Sequence, residues 1–312
     1  MKTPKRLSPK IKIAGVGGAG SNTVSRLMRY NLEGIELIAL NTDEQDLKRT
    51  SAHLKVRIGR KLTQGLGAGM NPKLGEKAAE EQKEEIKEAL KGAELIFITL
   101  GEGGGTGSGA APVIAEISRE LKILSIGIVS RPFSFEGNIR RKIAENGIRK
   151  LKERVDSLIV IPNDKLLLLS GPEASISDAF WKGDEILREA VLGITNLVAS
   201  RAIISVGLAS VKSVLKNSGR AVFGTGEAEG EKRAEKAAAA ALSSPLVEIS
   251  PKGAKRVLFN VSGRNISLGE IEEIANFITK EVSPEAKITF GAKEDLSLKK
   301  GKIKVNVILT DF

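Results

Sequence analysis

Seven consecutive residues, Gly103-Gly104-Gly105-Thr106-Gly107-Ser108-Gly109, contain five glycines and two hydroxyls. A turn needs far less glycine, and each one costs backbone entropy on ordering. Such a run offers a row of N–H groups with no Cβ over them, able to wrap an anion just before a helix. A second run, Gly15-Val16-Gly17-Gly18-Ala19-Gly20, follows an apolar stretch with Ile11 and Ile13 and matches G-x-G-x-x-G. Its chemistry is the same: backbone N–H groups approach phosphate oxygens, and a helix N-terminus adds partial positive charge. A third flexible stretch runs from Gly65 to Pro72.

The first-encoded run, Gly15 to Gly20, would by itself allow a dinucleotide site. That site wants an acid about 20 residues past the glycines for the ribose. Here the next apolar segment ends on Asn41-Thr42-Asp43, further on than that. An oxidoreductase reading would rest only on Gly15, Gly17 and Gly20, and the run Gly103 to Gly109 argues against it. Phosphates are the expected ligand, and nicotinamide chemistry is not.

The elements that hold these loops can be read from periodicity. Apolar runs at Lys10–Val16, Ile35–Leu40, Val56–Ile58, Glu94–Leu100, Ile123–Val129 and Ser157–Ile161 read as strands. Helical patterns lie between them, at about 19–30, 72–91, 110–121 and 136–154. Alternating strands and helices imply an α/β fold with a parallel sheet covered on both faces. Ligands of such sheets sit beyond the carboxyl ends of the strands, where all the glycine runs fall. A long helix follows from Ser177 to about Ala199, with Ile186, Ala190, Ile194 and Leu197 at helical spacing. The remainder predicts a smaller α+β domain, with strands at 221–225, 257–262, 287–290 and 303–309. The expected division is 1–176, 177–202 and 203–312.

The 312 residues carry a net charge of +11, no cysteine, 41% hydrophobic and 4% aromatic residues. The absence of cysteine excludes disulfides and thiolate metal sites and suits a reducing cytoplasm. No metal-ligating constellation is expected. Lysines are interspersed with acids, and no basic stretch is interleaved with aromatics, so no nucleic-acid surface is expected. No apolar run reaches the roughly 18 residues of a membrane span. The basic start (Lys2, Lys5, Arg6, Lys10) is followed by no apolar segment of a signal peptide.

The run Gly103 to Gly109 resembles the GGGTG(T/S)G signature of the tubulin/FtsZ superfamily, and the chain is most similar to the FtsZ family of filament-forming cell-division GTPases. The likeness extends through Gly17–Asn22, Asn41-Thr42-Asp43, Gly65–Pro72, Pro132–Gly137, Pro162–Leu166 and Asp178-Ala179-Phe180. It implies a Rossmann-like parallel-sheet GTP-binding domain, a long central helix and a smaller α+β C-terminal domain. It also implies GTP or GDP as ligand, with Mg2+ accompanying GTP, and self-assembly by head-to-tail stacking, with other cell-division proteins as further partners. By the same resemblance Gly17, Gly18, Gly20, Ser21 and Asn22 meet the α- and β-phosphates. Gly104, Gly105, Thr106, Gly107 and Ser108 cradle the β- and γ-phosphates, and Ala68, Gly69 and Met70 close over the γ-phosphate. Glu136, a loop carboxylate with no evident partner in the sequence, is suited to ribose hydroxyls. Arg140 reaches ribose or phosphate, and Asn163 the ribose or base. Phe180 stacks on the base, with ordinary helix core as the alternative. Asp184, one turn on, accepts from guanine N1–H and the exocyclic amine, which adenine cannot offer in that geometry. His53, in a loop, is expected to be without function.

Two departures stand out. Family members carry a loop after the long helix that reads like N-x-D-F-A-D, whose acids polarise water at the neighbouring subunit's nucleotide. The matching segment here is Ser205-Val206-Gly207-Leu208-Ala209-Ser210, and no Asp or Glu lies between Glu189 and Glu227. Ser205, Gly207 and Ser210 therefore hold no catalytic carboxylate; a serine hydroxyl orients water but is a poor base. Such a loss typically costs about 10²–10⁴ in rate. The sequence also stops at Thr310-Asp311-Phe312, right after the last expected strand, so either it is truncated there or no tail for membrane anchors is expected. Phosphate release, measured at high protein concentration, should thus be slow or absent; turnover at ordinary FtsZ-like rates would refute this.

Overall fold

The structure, a computed structural model, describes residues 10–30, 32–170, 175–198 and 203–312. The basic stretch Lys2, Lys5 and Arg6 lies outside the described residues. The chain divides into two compact units, Lys10–Ile186 and one that contains Leu187–Phe312.

The first unit opens with β1 (Ile11–Val16), α1 (Gly17–Leu27), β2 (Ile35–Asn41), α2 (Glu44–Arg49) and β3 (Leu54–Arg57). Short α3 (Arg60–Thr63), then α4 (Pro72–Glu81) and α5 (Lys83–Leu90), lead to β4 (Leu95–Gly101) and α6 (Gly105–Glu120). β5 (Leu124–Arg131), α7 (Asn138–Lys152), β6 (Ser157–Pro162), α8 (Asn163–Ser170) and the start of α9 (Ile176–Val198) follow. The strands lie in the order β3-β2-β1-β4-β5-β6, all parallel. β1 is buried at all six positions, as expected of a sheet covered on both faces. Ile38, Ile96, Ile98, Ile114 and Leu158 anchor the core.

Four features differ from the sequence reading. The pattern at 72–91 is two helices, because Gln82 leaves the helical region (φ −106°, ψ 27°) and turns its side-chain oxygen to the Gly59 N–H. No glycine or proline marks that break. The short helices α2, α3 and α8 carry too few residues to show a period. α7 starts at Asn138, after Gly137 at φ +95°. The largest difference is that α6 starts at Gly105 and α1 at Gly17, so much of both glycine runs is helix, not loop.

Tertiary packing overrides the weak helix propensity of glycine here. A Cβ on Gly109 would fall 2.1 Å from the Pro72 carbonyl oxygen, and one on Gly75 would fall 2.3 Å from that of Gly105. α4 and α6 thus cross backbone to backbone. Asn71 caps α4 by accepting from Lys73 N (3.1 Å) and Leu74 N (3.3 Å), which fixes its N-terminus against α6.

The second unit holds the end of α9, then α10 (Leu208–Leu215), β7 (Gly219–Glu229), α11 (Arg233–Leu242) and β8 (Arg256–Gly263). α12 (Leu268–Glu281), β9 (Lys287–Glu294) and β10 (Lys302–Thr310) complete it. Its strands are ordered β7-β10-β8-β9, with β10 antiparallel to β7 and β8, and β8 parallel to β9. Phe259, Ile274 and Val305 centre its core.

Gly109→Ala should destabilise the protein by about 2–3 kcal/mol, the upper range for an overpacked site. Gly104→Ala, where a Cβ meets nothing within 4 Å, should cost only about 0.5–1 kcal/mol, the loss of a good N-cap residue. Urea unfolding of the two variants measures both, and equal losses would contradict the backbone contact.

Candidate nucleotide-binding site

β1 and β4 are adjacent, so the helices that leave their carboxyl ends start side by side. A Cβ on Gly17 (φ +69°) would lie 2.9 Å from Gly107 N, which shows how closely the two N-termini abut. Each presents backbone N–H groups that no carbonyl of its own helix can satisfy. Added to the dipoles of both helices, this makes one strongly anion-attracting edge. Thr106 Oγ1 bonds Thr42 Oγ1 at 2.7 Å, tying the end of β2 to the same edge. Gly105 would meet Ala68 Cβ at 3.0 Å, so the 68–70 segment closes the third side. Gly69 and Met70 are exposed and in left-handed conformations (φ +51° and +57°).

The expected residues divide by what their atoms do. Gly18, Asn22, Gly69, Met70, Arg140 and Phe180 are exposed beside these loops. Gly17, Gly20, Gly105, Thr106 and Gly107 are buried, and Gly104 caps α6. The hydroxyls of two serines are not open to a ligand. Ser21 Oγ is covered by protein and unpartnered. Ser108 Oγ donates to Glu102 Oε2 (2.5 Å) and accepts from Gly103 N (3.0 Å). Glu136 is not without partners: it accepts from Phe133 N (2.8 Å) and pairs with Arg140 (2.9 Å). Its position three residues after Phe133 lets it cap its own turn. Asn163 is buried at the first position of α8.

Phe180 is 44% exposed, so ordinary core is not its role. Its ring stands edge-on to Phe133 (5.6 Å), which stacks on Phe135 (5.0 Å). Next to it, Trp181 lies under the Arg29 guanidinium at 5.5 Å. One turn on, Asp184 is buried and accepts from Thr23 Oγ1 (2.9 Å), Arg26 Nη2 (3.1 Å) and Arg26 Nε. Burial raises its carboxyl above the usual range, while Arg26 and Thr23 pull it back down. Three donors leave one of its roughly four lone-pair sites free.

Sequence reasoning missed Arg26, Thr23, Asp46 and Glu102. A lone acid on an apolar helix face demands a cation, and Arg26 lies one turn past Asn22, so that pair was recoverable. Asp46 Oδ2 would be 3.4 Å from a Cβ on Gly18 and accepts from Asn41 Nδ2 (2.7 Å). Burial, then the nearby Asp43, raises its carboxyl. Burial pushes Glu102 up to about 7. The acids raised in this way, Asp46, Glu102 and Asp184, all lie against the glycine helices, and such clustering marks functional sites. His53 Nδ1 accepts from Leu37 N (2.9 Å), a structural use. Among the described residues no three His, Cys, Asp or Glu side chains group to hold a metal ion.

The family model for the tubulin/FtsZ family GTPase domain matches residues 10–171. The one for the FtsZ family C-terminal domain matches residues 219–312. This chain belongs to the tubulin/FtsZ family. An empty FtsZ dimer from M. jannaschii is 43% identical, with a TM-score of 0.92 over 98% of this chain and 89% of that one. A GTPγS-bound CetZ2 protofilament from Haloferax volcanii is 24% identical, with a TM-score of 0.81 over 97% and 93% of the two chains. A GDP-bound CetZ1 monomer from the same organism is also 24% identical, with a TM-score of 0.81 over 96% and 93%. The CetZ likenesses show the fold. The GTPase domain of this FtsZ-family chain implies a guanine nucleotide as its ligand. Both parallel-sheet GTPase and α+β C-terminal parts of the sequence reading are thereby met. Among the described residues no helix is long and apolar enough to cross a membrane.

Glu102 gives a stability prediction. Its folded-state carboxyl holds a proton more tightly than the ordinary value of 4.5, up to about 7. Stability from this group is complete below the unfolded value and is lost as pH rises through about 7. Glu102→Gln should therefore raise the thermal midpoint at pH 8 and leave it near that of the parent at pH 4.

Proposed function

We propose that this chain is a GTP-binding cytoskeletal protein that stacks head to tail, takes part in cell division, and hydrolyses GTP weakly or not at all. The observation that carries the nucleotide reading is the abutting pair of helix N-termini at Gly17 and Gly107. Phosphates would lie across them, with Ala68, Gly69 and Met70 over the γ-phosphate. Ribose would meet Glu136, Arg140 and Asn163, the base would stack against Phe180, and guanine would place one donor, not the two expected from sequence, on the site of Asp184 that Thr23 and Arg26 leave free. Arg26 offsets part of the burial cost of that carboxylate and fixes its orientation. Mg2+ would arrive on the phosphate oxygens and neutralise their charge.

Self-assembly is supported by kinship: one solved relative is an FtsZ dimer and another a CetZ2 protofilament. Weak hydrolysis is supported by the loop after α9. Ser205 and Gly207 are exposed and Ser210 is half-buried. Gly207 serves instead as the N-cap of α10, its carbonyl accepting from Ser210 N (2.9 Å). The same loop favours a second reading, a non-polymerising GTP-binding regulator. A cytoplasmic setting fits either.

Trp181 is the sole tryptophan and neighbours Phe180, so its emission should change on adding GTP or GDP and far less on adding ATP. Equal responses would count against guanine selection by Asp184. Pelleting with GTP against GDP separates the polymer from the regulator. Gly207 has φ −69°, and a Cβ there meets nothing within 4 Å, so a side chain fits. The double variant Gly207→Asp with Ser210→Asp should raise GTP turnover on assembly by about 10²–10⁴-fold. Unchanged turnover in assembled protein would reject the missing acids as the cause.

A further inference from the structure

Glu102 lies at the entry of the glycine run but turns inward, 2% exposed. Its Oε2 accepts from Ser108 Oγ at 2.5 Å, and Ser108 Oγ accepts the Gly103 N–H at 3.0 Å. One carboxyl thus ties both ends of the run together. Its Oε1 is buried with no partner. α7 makes room for it with a mid-helix glycine: a Cβ on Gly147 would fall 2.2 Å from Oε2. The charged groups packed around it do not neutralise it. Glu145 of α7 adds repulsion and pairs with Arg131 of β5 at 3.0 Å. Arg140 of α7 lays its stem over Gly103 and pairs with Glu136 at 2.9 Å. Among the described residues no Lys or Arg forms an ion pair with Glu102.

We propose that Glu102 is a positioning residue of the phosphate run that carries a proton when nucleotide is bound, so that nucleotide capture takes up a proton. This rests on the reading of Gly103 to Ser108 as a phosphate cradle. A nucleotide brings several negative charges to the N–H face of the run whose inner face the carboxyl lines. Like charges separated by protein rather than water disfavour the ionised form. The carboxyl therefore binds its proton more tightly in the complex than in the free protein. By linkage, nucleotide affinity must fall as pH rises above the transition of the free protein, which lies at about 7. The fall approaches tenfold per pH unit until the bound form also ionises.

The test is calorimetric titration of the full chain and of Glu102→Gln with Mg2+-GDP between pH 6.5 and 8.5. The parent should weaken by up to roughly twentyfold across that range relative to the variant, given linkage over about 1.5 units above the transition. Glutamine keeps the shape and the Ser108 contact but has no proton to exchange. Titration of the parent at pH 7.5 in two buffers of different ionisation heat provides a second measure, independent of the variant's folding. It should show net proton uptake beyond that of the nucleotide itself. Parallel pH curves for both proteins, or no excess uptake by the parent, would overturn the proposal. Binding by neither protein at any pH would remove the phosphate-cradle reading, and this inference with it. Binding with the wrong pH profile leaves that reading standing and sinks only the proton.

Discussion

Two backbones can touch only where no Cβ stands between, and this steric demand organises the first unit. It explains why Gly17 meets Gly107 backbone to backbone and why α4 crosses α6 at Gly75, Gly105 and Gly109. Glycine is about 1 kcal/mol worse than alanine in a helix interior, so these helix starts would fray alone. They hold because the following turns carry Ala110, Ala111, Ile114 and Ile117 into the core, and because β1 and β4 fix their directions from below. The apolar core thus holds in place an edge that is intrinsically poor at folding.

The same edge determines how acids behave there. A helix N-terminus favours negative charge, yet burial opposes it, and burial is the larger cause for Asp46, Glu102 and Asp184 alike. The three differ in what offsets it. Asp184 has Arg26 and Thr23, and stays available as a fixed acceptor. Asp46 has the Asn41 amide as a hydrogen-bond donor and the charge of nearby Arg49. Glu102 has one serine hydroxyl and a repelling neighbour. A cation beside a buried carboxyl offsets part of the burial cost, whereas a carboxyl without one binds its proton more tightly.

In the second unit the loop after α9 does architectural work. Val206 N bonds the Leu197 carbonyl (2.8 Å), and Gly207 starts α10. An aspartate at Gly207 would have capped that helix as well as acted on water, since aspartate is a strong N-cap. Glycine caps nearly as well, so the start of α10 needs no carboxylate at this position.

The sequence alone determined the parallel sheet, the ligand edge and the family, because apolar runs and dense glycine leave few alternatives. It also determined that no acid occupies the loop after α9, which needs only residue identities. Tertiary structure alone decided that the glycine run is largely helix, because the reason is a neighbouring backbone, Pro72, more than 30 residues away in sequence. It decided that Ser108 and Glu136 spend their polar atoms on protein, and that Asp184 is held by Arg26. Glu102 was the least legible of all: as a letter it is a loop glutamate beside glycines. Its character comes from burial against Gly147 and from having no cation paired with it among the described residues, and both depend on what α7 places against it.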